Sequence, residues 1–506
     1  MGADGAADIR IEGGDPDGRR RSKGPLGSGG CDTIAGGSMG QVQFDNLVDV
    51  QAQAERMRAF YATGATRDIE YRRRALTQLK AYLKANEQRV LDALKADLGK
   101  AHFEGYATEL GLVYDEITTC LKHLNRWSKP RRVATPIVHF RSSSKVYPSP
   151  MGVVLVLSPW NYPVQLALVP MVDAIAAGNC VALKPSRTSK ATSELLIDML
   201  ASVFPPEFVC GFPGSGDMND WLLETRWDQI FFTGSPNVGH TVMEAAAKHL
   251  TPVVLELGGK SPCIVDATAN IKRAAQRIAW GKGINTGQTC VAPDYFLVHE
   301  SVVDDLVSQL DACFHQYYGK DILACDEWPR MINRHHFDRV MGLIENRNPD
   351  ASVAFGGQGE ALALKIEPTC LRGVTLDDPV MGEEIFGPVL PVITYQTLDE
   401  AFAIVRTFEK PLATYIFSDD KDVQERVIRE LPFGGATIND VVIHLANNHM
   451  GFGGVGNSGM GAYHGKVGFD CFTHYKSTLK KGTWLELPVR VPPFGDKIKL
   501  LRMLMR

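Results

Sequence analysis

Ile230-Phe231-Phe232-Thr233-Gly234-Ser235-Pro236-Asn237-Val238-Gly239 reads as the end of a buried strand, a sharp turn and the first turn of a helix. Gly234 permits the turn, and Pro236 suits the first helical position. A helix starting there aims unsatisfied N–H groups and its positive dipole end at the turn, which favours a phosphate. On both sides the pattern repeats. Val153-Val154-Leu155-Val156-Leu157 is an unbroken apolar run, as a parallel strand covered on both faces should be. Val181-Ala182-Leu183 and Val253-Val254-Leu255 are further strands, with helices expected at 170–177, 190–203 and 238–249. This alternation predicts an α/β fold built on a Rossmann-like, doubly wound sheet.

Further out, residues 45–130 read as helical, with Ala75, Leu76, Leu79, Tyr82 and Leu83 at helical spacing. Pro130 to Pro150 breaks that pattern and reads as an extended excursion. A second α/β stretch is expected over 259–447, with helices near 267–281, 301–316 and 397–407. Its strands include Cys263-Ile264-Val265, Tyr295-Phe296-Leu297-Val298 and Val389-Leu390-Pro391-Val392. Residues 1–40 hold almost no large apolar side chain and are expected to be disordered.

At 506 residues the chain is expected to hold two or three domains. A net charge of −4, without basic patches interleaved with aromatics, excludes a nucleic-acid partner. The ten cysteines are scattered, and the nearest two, Cys313 and Cys325, are 12 positions apart. Without a C-x-x-C pair no metal site is expected. Most of these cysteines read as small buried hydrophobes in a reducing compartment. No apolar run reaches membrane-spanning length, and the early acids Asp4, Asp8 and Glu12 do not suit a targeting presequence. The cytoplasm is the expected compartment. The basic end, residues 486–506, reads as a tail rather than a membrane contact.

Several positions could carry chemistry. Cys290 lies in Asn285-Thr286-Gly287-Gln288-Thr289-Cys290, a loop of small and polar residues, where a thiolate can reach a substrate. Glu256, at an apolar strand end, has either a role or a structural partner. Asn161 follows another strand and either donates to an oxyanion or shapes a turn. Lys184-Pro185-Ser186 also ends a strand, where ligands of open sheets bind; Lys184 either bonds ribose or phosphate or faces solvent. By contrast, Gly451-Phe452-Gly453-Gly454-Val455-Gly456 fits G-x-G-x-x-G but follows no strand, so it reads as a loop. A nucleophile, a base, an oxyanion donor and a dinucleotide turn suit hydride removal from a carbonyl adduct better than plain hydrolysis.

The sequence resembles the aldehyde dehydrogenase superfamily. The resemblance rests on Pro159-Trp160-Asn161, Lys184-Pro185-Ser186, Phe232-Thr233-Gly234-Ser235, Leu255-Glu256-Leu257-Gly258-Gly259-Lys260, Gly287-Gln288-Thr289-Cys290 and Glu384-Ile385-Phe386-Gly387-Pro388, and covers about 45–485. The Cys290 and Gly456–Lys466 segments look most like class 3, the fatty and aromatic aldehyde dehydrogenases. The resemblance implies NAD(P)-dependent oxidation of medium-chain aliphatic or aromatic aldehydes to carboxylic acids. Cys290 would form a thiohemiacetal and then a thioester, Asn161 would hold the oxyanion, and Glu256 would activate water. Lys184, Gly234, Ser235, Gly239, Glu384 and Phe386 would bind cofactor. Arg187 stands where many members carry an acid; it either pairs with the 2′-phosphate of NADP, implying NADP preference or dual use, or faces solvent. The resemblance also implies a homodimer. It implies a cofactor domain (41–130 and 150–258), a catalytic domain (259–447) and a small β bridging arm (131–149 and 448–485). Trp280, Tyr114 and Tyr162 are candidates for an aldehyde funnel, or ordinary core. The rival readings are a semialdehyde dehydrogenase, a thiol hydrolase or esterase, and a non-catalytic protein on the same scaffold.

Overall fold

Four long helices open the fold: Leu47–Ala62, Ile69–Ala85, Glu87–Leu98 and Gly111–Trp127. The computed structural model describes residues 42–214, 216–486 and 488–505; the expectation for 1–40 lies outside them. Local chemistry starts the first two helices, since the Asn46 and Asp68 side chains accept from backbone amides of their first turns. In the second, Ala75, Leu76, Leu79 and Leu83 form the buried stripe that their spacing predicts.

Next come β1 (Arg131–Val133), β2 (Ser142–Pro150), β3 (Val153–Leu157), β4 (Cys180–Lys184), β5 (Val209–Gly211), β6 (Gln229–Thr233) and β7 (Val253–Glu256). Strand β17 (Gly459–Met460) joins the last five in one sheet of order β17-β7-β6-β3-β4-β5. All its pairings are parallel except that of β17 with β7. Every residue of β3, β4 and β6 is buried, and their sequences are apolar except at the strand ends Lys184, Gln229 and Thr233. The chain winds outward from β3 in both directions, so a switch point opens beyond its carboxyl end. Register aligns that edge: Leu157 lies opposite Lys184 and Phe232, and Thr233 opposite Glu256.

A second sheet holds β8 (Pro262–Val265), β9 (Tyr295–His299), β10 (Ser352–Phe355), β13 (Thr369–Arg372), β14 (Val389–Tyr395), β15 (Ala413–Phe417) and β16 (Gly435–Ile438). Its order is β10-β13-β14-β9-β8-β15-β16, and only β10 runs antiparallel. A short hairpin of β11 (Gly359–Glu360) and β12 (Lys365–Ile366) stands apart. The two large sheets are joined by Leu257–Ser261. β18 (Thr473–Lys481) pairs with β2 along nine residues, and β1 completes a third, three-stranded sheet. The segment 448–485 is therefore divided: Gly459–Met460 lies in the first sheet, and only Thr473–Lys481 in the third. No helix among the described residues is long and apolar enough to cross a membrane.

Candidate active site

Three residues with positive φ, Asn285 (51°), Thr286 (52°) and Gly287 (71°), turn the chain between helix Ile271–Gly283 and Cys290. Glycine is required at 287, where a Cβ would come 2.3 Å from the Gly387 carbonyl oxygen. The other two are strained positions for ordinary residues, and their surroundings hold them there. The Thr286 hydroxyl donates to the Pro329 carbonyl (2.7 Å), and the Asn285 amide to Glu104 (2.8 Å). Gln288 donates to the Arg330 carbonyl and accepts from the Ile332 amide, both at 3.0 Å. Small polar residues mark a loop here, as the sequence suggests, yet Asn285, Thr286 and Gln288 are fully buried. Their polarity serves this internal network rather than solvent.

The loop delivers Cys290, partly exposed, to a cavity of about 160 Å³ lined by Tyr162, Trp280, Val442, Ile443, Phe452 and His464 among others. Burial pushes the Cys290 thiol up to about 12, and the carboxyls of Glu384 and Glu256 push the same way, against the amides of Cys290 and Val291. Asn161, also buried, donates its side-chain amide to the Gln288 carbonyl (3.2 Å). Its own carbonyl accepts from Asn285 (2.8 Å) and from Lys100 (3.0 Å). Glu256 is the last residue of β7 and is 3% exposed. Neither of its carboxyl oxygens has a hydrogen-bond partner among the described residues. Burial holds its pKa well above the usual carboxylate range. The three residues thus converge on one loop: Asn161 by its bond to Gln288, Glu256 by its field on the thiol.

Glu384 approaches from the second sheet's side. Its carboxyl lies against Gly258, where a Cβ would come 1.9 Å from Oε2, and it accepts from the Gly259 amide. Burial and the neighbouring Asp294 raise it to about 8. The buried pair Lys260–Asp294 (2.5 Å) fixes this segment. Lys260 also donates to the carbonyls of Val380 (3.0 Å) and Glu383 (2.9 Å), while Asp294 accepts from the Ile385 amide (2.9 Å). Phe386 has a φ of 48°, and its ring meets that of Trp160 edge-on at 5.5 Å.

The remaining sequence candidates lie along the carboxyl edge of the first sheet. Lys184 ends β4, buried, with no hydrogen-bond partner for its ammonium among the described residues; burial and then Arg187 lower it to about 8. Arg187 is exposed and makes no hydrogen bond or ion pair among them. Ser235 precedes helix Pro236–Ala247 without capping it, which leaves first-turn amides free. At Gly234 a Cβ would strike the Phe232 ring at 2.5 Å, and at Gly239 it would lie 2.9 Å from Leu257. An unpartnered cation and a glycine-lined helix start are what a dinucleotide's ribose and pyrophosphate require, so the residues present fit that group.

The cavity sorts two further candidates. Tyr114 does not line the cavity; its hydroxyl donates to Glu87 (3.1 Å) on a neighbouring helix. The Gly451–Gly456 segment is a loop, as expected, but its Phe452 forms cavity wall. Sequence reading missed the supports Lys100, Glu104 and Glu109 and gave Lys260 no role. Glu109 had a detectable signal. With Val113, Ile117 and Cys120 it shares a mostly apolar helical face on which Glu116 is a second acid, and a buried acid must find a partner.

A doubly wound sheet with a phosphate-suited turn and a thiol lining a cavity fits one class: a nicotinamide-dependent dehydrogenase of α/β fold. Comparison with known proteins then fixes the family. The model of the aldehyde dehydrogenase family matches residues 31–478. The chain is 45% identical to the 4,4'-diaponeurosporen-aldehyde dehydrogenase of Staphylococcus aureus, over 88% of this chain and 96% of that protein. It is 40% identical to aldehyde dehydrogenase family 3 member H1 of Arabidopsis thaliana, over 92% and 95% respectively. It is 43% identical to the dimeric NADP-preferring aldehyde dehydrogenase of Rattus norvegicus, over 89% and 99%. A solved structure of Staphylococcus aureus AldH in a substrate-bound state superposes with a TM-score of 0.88 at 43% identity, covering 90% of this chain and 99% of that one. The chain belongs to the aldehyde dehydrogenase family, among relatives of class 3, and is an NAD(P)-dependent aldehyde dehydrogenase.

Proposed function

We propose that Cys290 is the nucleophile, that Asn161 and the Cys290 amide hold the oxyanion, and that Glu256 takes the proton from the hydrolytic water. The observation that carries this assignment is Glu256: a buried carboxyl with neither oxygen partnered, close enough to raise the Cys290 thiol. An unpaired buried acid is costly, and such groups cluster at functional sites. Cys290 gives up its thiol proton to solvent and adds to the aldehyde carbon as the thiolate, and donors at the oxygen stabilise the charge that develops there. Water, with Glu256 as base, then releases the acid from the thioester. Bound NAD(P)+ supplies the hydride acceptor, and Lys184, Gly234, Ser235, Gly239, Glu384 and Phe386 are the residues that would hold it.

The thiol's reactivity gives a direct test. In cofactor-free enzyme, labelling of Cys290 by iodoacetamide should quicken about tenfold per pH unit from roughly pH 7 to 10 without levelling, because only the thiolate reacts. Peptide mass spectrometry follows the label. A plateau below pH 9 would contradict the raised thiol, and activity lost ahead of Cys290 labelling would contradict the assignment.

We read the substrate as a medium-chain aliphatic or aromatic aldehyde, because the cavity wall is mostly apolar. No lysine or arginine lines it among the described residues, and its one histidine, His464, is lowered by burial to about 4. A semialdehyde's distal carboxylate finds no cationic partner there; a panel in which semialdehydes gave the highest kcat/KM would reverse this. We read Arg187, cationic and unpaired beside Lys184, as favouring NADP or dual use, in line with the NADP preference named for the rat relative. Arg187→Glu should then weaken NADP binding by about tenfold or more, as expected on losing a charge-assisted phosphate contact, and leave NAD binding within twofold. Equal effects on both cofactors would contradict this.

We assign cofactor binding to 41–130 and 150–258, catalysis to 259–447 and bridging to 131–149 and 448–485. The exposed edge of β18, with Leu479 outward, supports a homodimer, and light scattering should return twice the chain mass. The expected compartment is the cytoplasm; activity that sediments with membranes would contradict it.

A further inference from the structure

We propose that Lys100 and Glu109 are positioning residues for aldehyde oxidation, a buried ion pair that fixes Asn161 and its turn against the Cys290 loop. Both side chains are fully buried, and they meet at 2.7 Å. Lys100 follows the left-handed Gly99 that ends helix Glu87–Leu98. Glu109 lies in the π-helical turn Tyr106–Leu110, a local irregularity that recurs at functional sites.

The pair grips the Asn161 turn from two directions. Lys100 Nζ donates to the Asn161 carbonyl at 3.0 Å and sits 3.9 Å over the Tyr162 ring. The second oxygen of Glu109 accepts from the Val164 amide (2.8 Å) and the Gln165 amide (3.3 Å), where helix Gln165–Ala177 begins. A carboxylate at a helix start is well placed against its dipole. Between these grips the Tyr162 hydroxyl bonds the Thr289 hydroxyl (2.6 Å), one residue before Cys290. Neither Lys100 nor Glu109 is among the residues lining the cavity.

Stability alone does not account for such a pair, because well-packed hydrocarbon of similar volume often stabilises as much. Hydrocarbon, however, cannot hold a carbonyl oxygen and two amides in place. What the pair contributes is the position of the Asn161 peptide, and with it the direction of the side-chain N–H groups, where small displacements are costly to a reaction.

The inference rests on the oxyanion role proposed for Asn161, and a double-mutant cycle separates the two claims. Lys100→Met and Asn161→Ala are compared singly and together by the pre-steady-state rate of cofactor reduction and by NAD(P)+ affinity. Lys100→Met should slow reduction by roughly 10- to 100-fold in the parent, with affinity within twofold, and by less than about threefold in the Asn161→Ala background, as residues acting through one another are non-additive. A parallel cycle with Glu109→Gln, which retains an oxygen for the two amides, should show the same coupling in weaker form. Equal losses in both backgrounds, or affinity falling in step with rate, would overturn the positioning role alone. An Asn161→Ala enzyme as fast as the parent would overturn the oxyanion role and the positioning role with it.

Discussion

Glu256→Gln is expected to complete one turnover and then stall. Glutamine matches the shape of the glutamate but cannot take a proton from water. The aldehyde should still add to Cys290 and be oxidised, giving a burst of about one reduced cofactor per site, because the acyl enzyme forms before the base is needed. Steady-state turnover should fall by about 10²–10⁴, the usual contribution of a general base. Stability should change in the opposite sense. Burial raises the folded-state pKa of Glu256 above its unfolded value. Stability from this group is therefore complete below the unfolded pKa and is lost as pH rises through the folded one. Glutamine has no proton to lose, so the Tm of Glu256→Gln should gain on the parent with increasing pH. A variant that turned over at the parental rate, or whose Tm fell behind as pH rose, would contradict the role given to this carboxyl.

Asn161→Ala should leave cofactor affinity unchanged and lower turnover by about 10²–10³, the cost of one lost oxyanion donor. The turn itself should survive. The bonds from Lys100 and Asn285 reach the Asn161 backbone carbonyl, which alanine keeps, and only the bond to the Gln288 carbonyl is lost. The loss should therefore appear in kcat far more than in cofactor Kd. If both changed together, the residue would be a structural support of the cofactor half instead.

The parallel strands were legible because burial on both faces leaves Val153–Leu157 no polar position and confines the polar residues of its neighbours, Lys184, Gln229 and Thr233, to strand ends. The turns beyond them were legible because Gly234, Pro236 and Lys184 are restricted by backbone geometry or by position at a strand end. Residues whose meaning depends on distant partners were not legible. Lys100 reaches Asn161 across 61 positions, and Lys260 reaches Val380 across 120. The polar run before Cys290 reads as a loop, and nothing local shows that it is buried or that Pro329 and Arg330 supply its acceptors. Tyr114 and Trp280 were equal candidates for the cavity wall, and only packing separated them. The Gly459–Met460 strand adds to the far edge of the first sheet, a pairing with no signal in a glycine-rich segment.

The central claim, that the substrate's acyl group is carried by one particular sulfur among ten cysteines, is tested most directly by peptide mass spectrometry of Glu256→Gln quenched after mixing with aldehyde and NAD(P)+. The account predicts the acyl mass on the peptide containing Cys290 and no adduct in the Cys290→Ala, Glu256→Gln double variant. A full burst of reduced cofactor without an adduct, or an adduct on another cysteine, would contradict it.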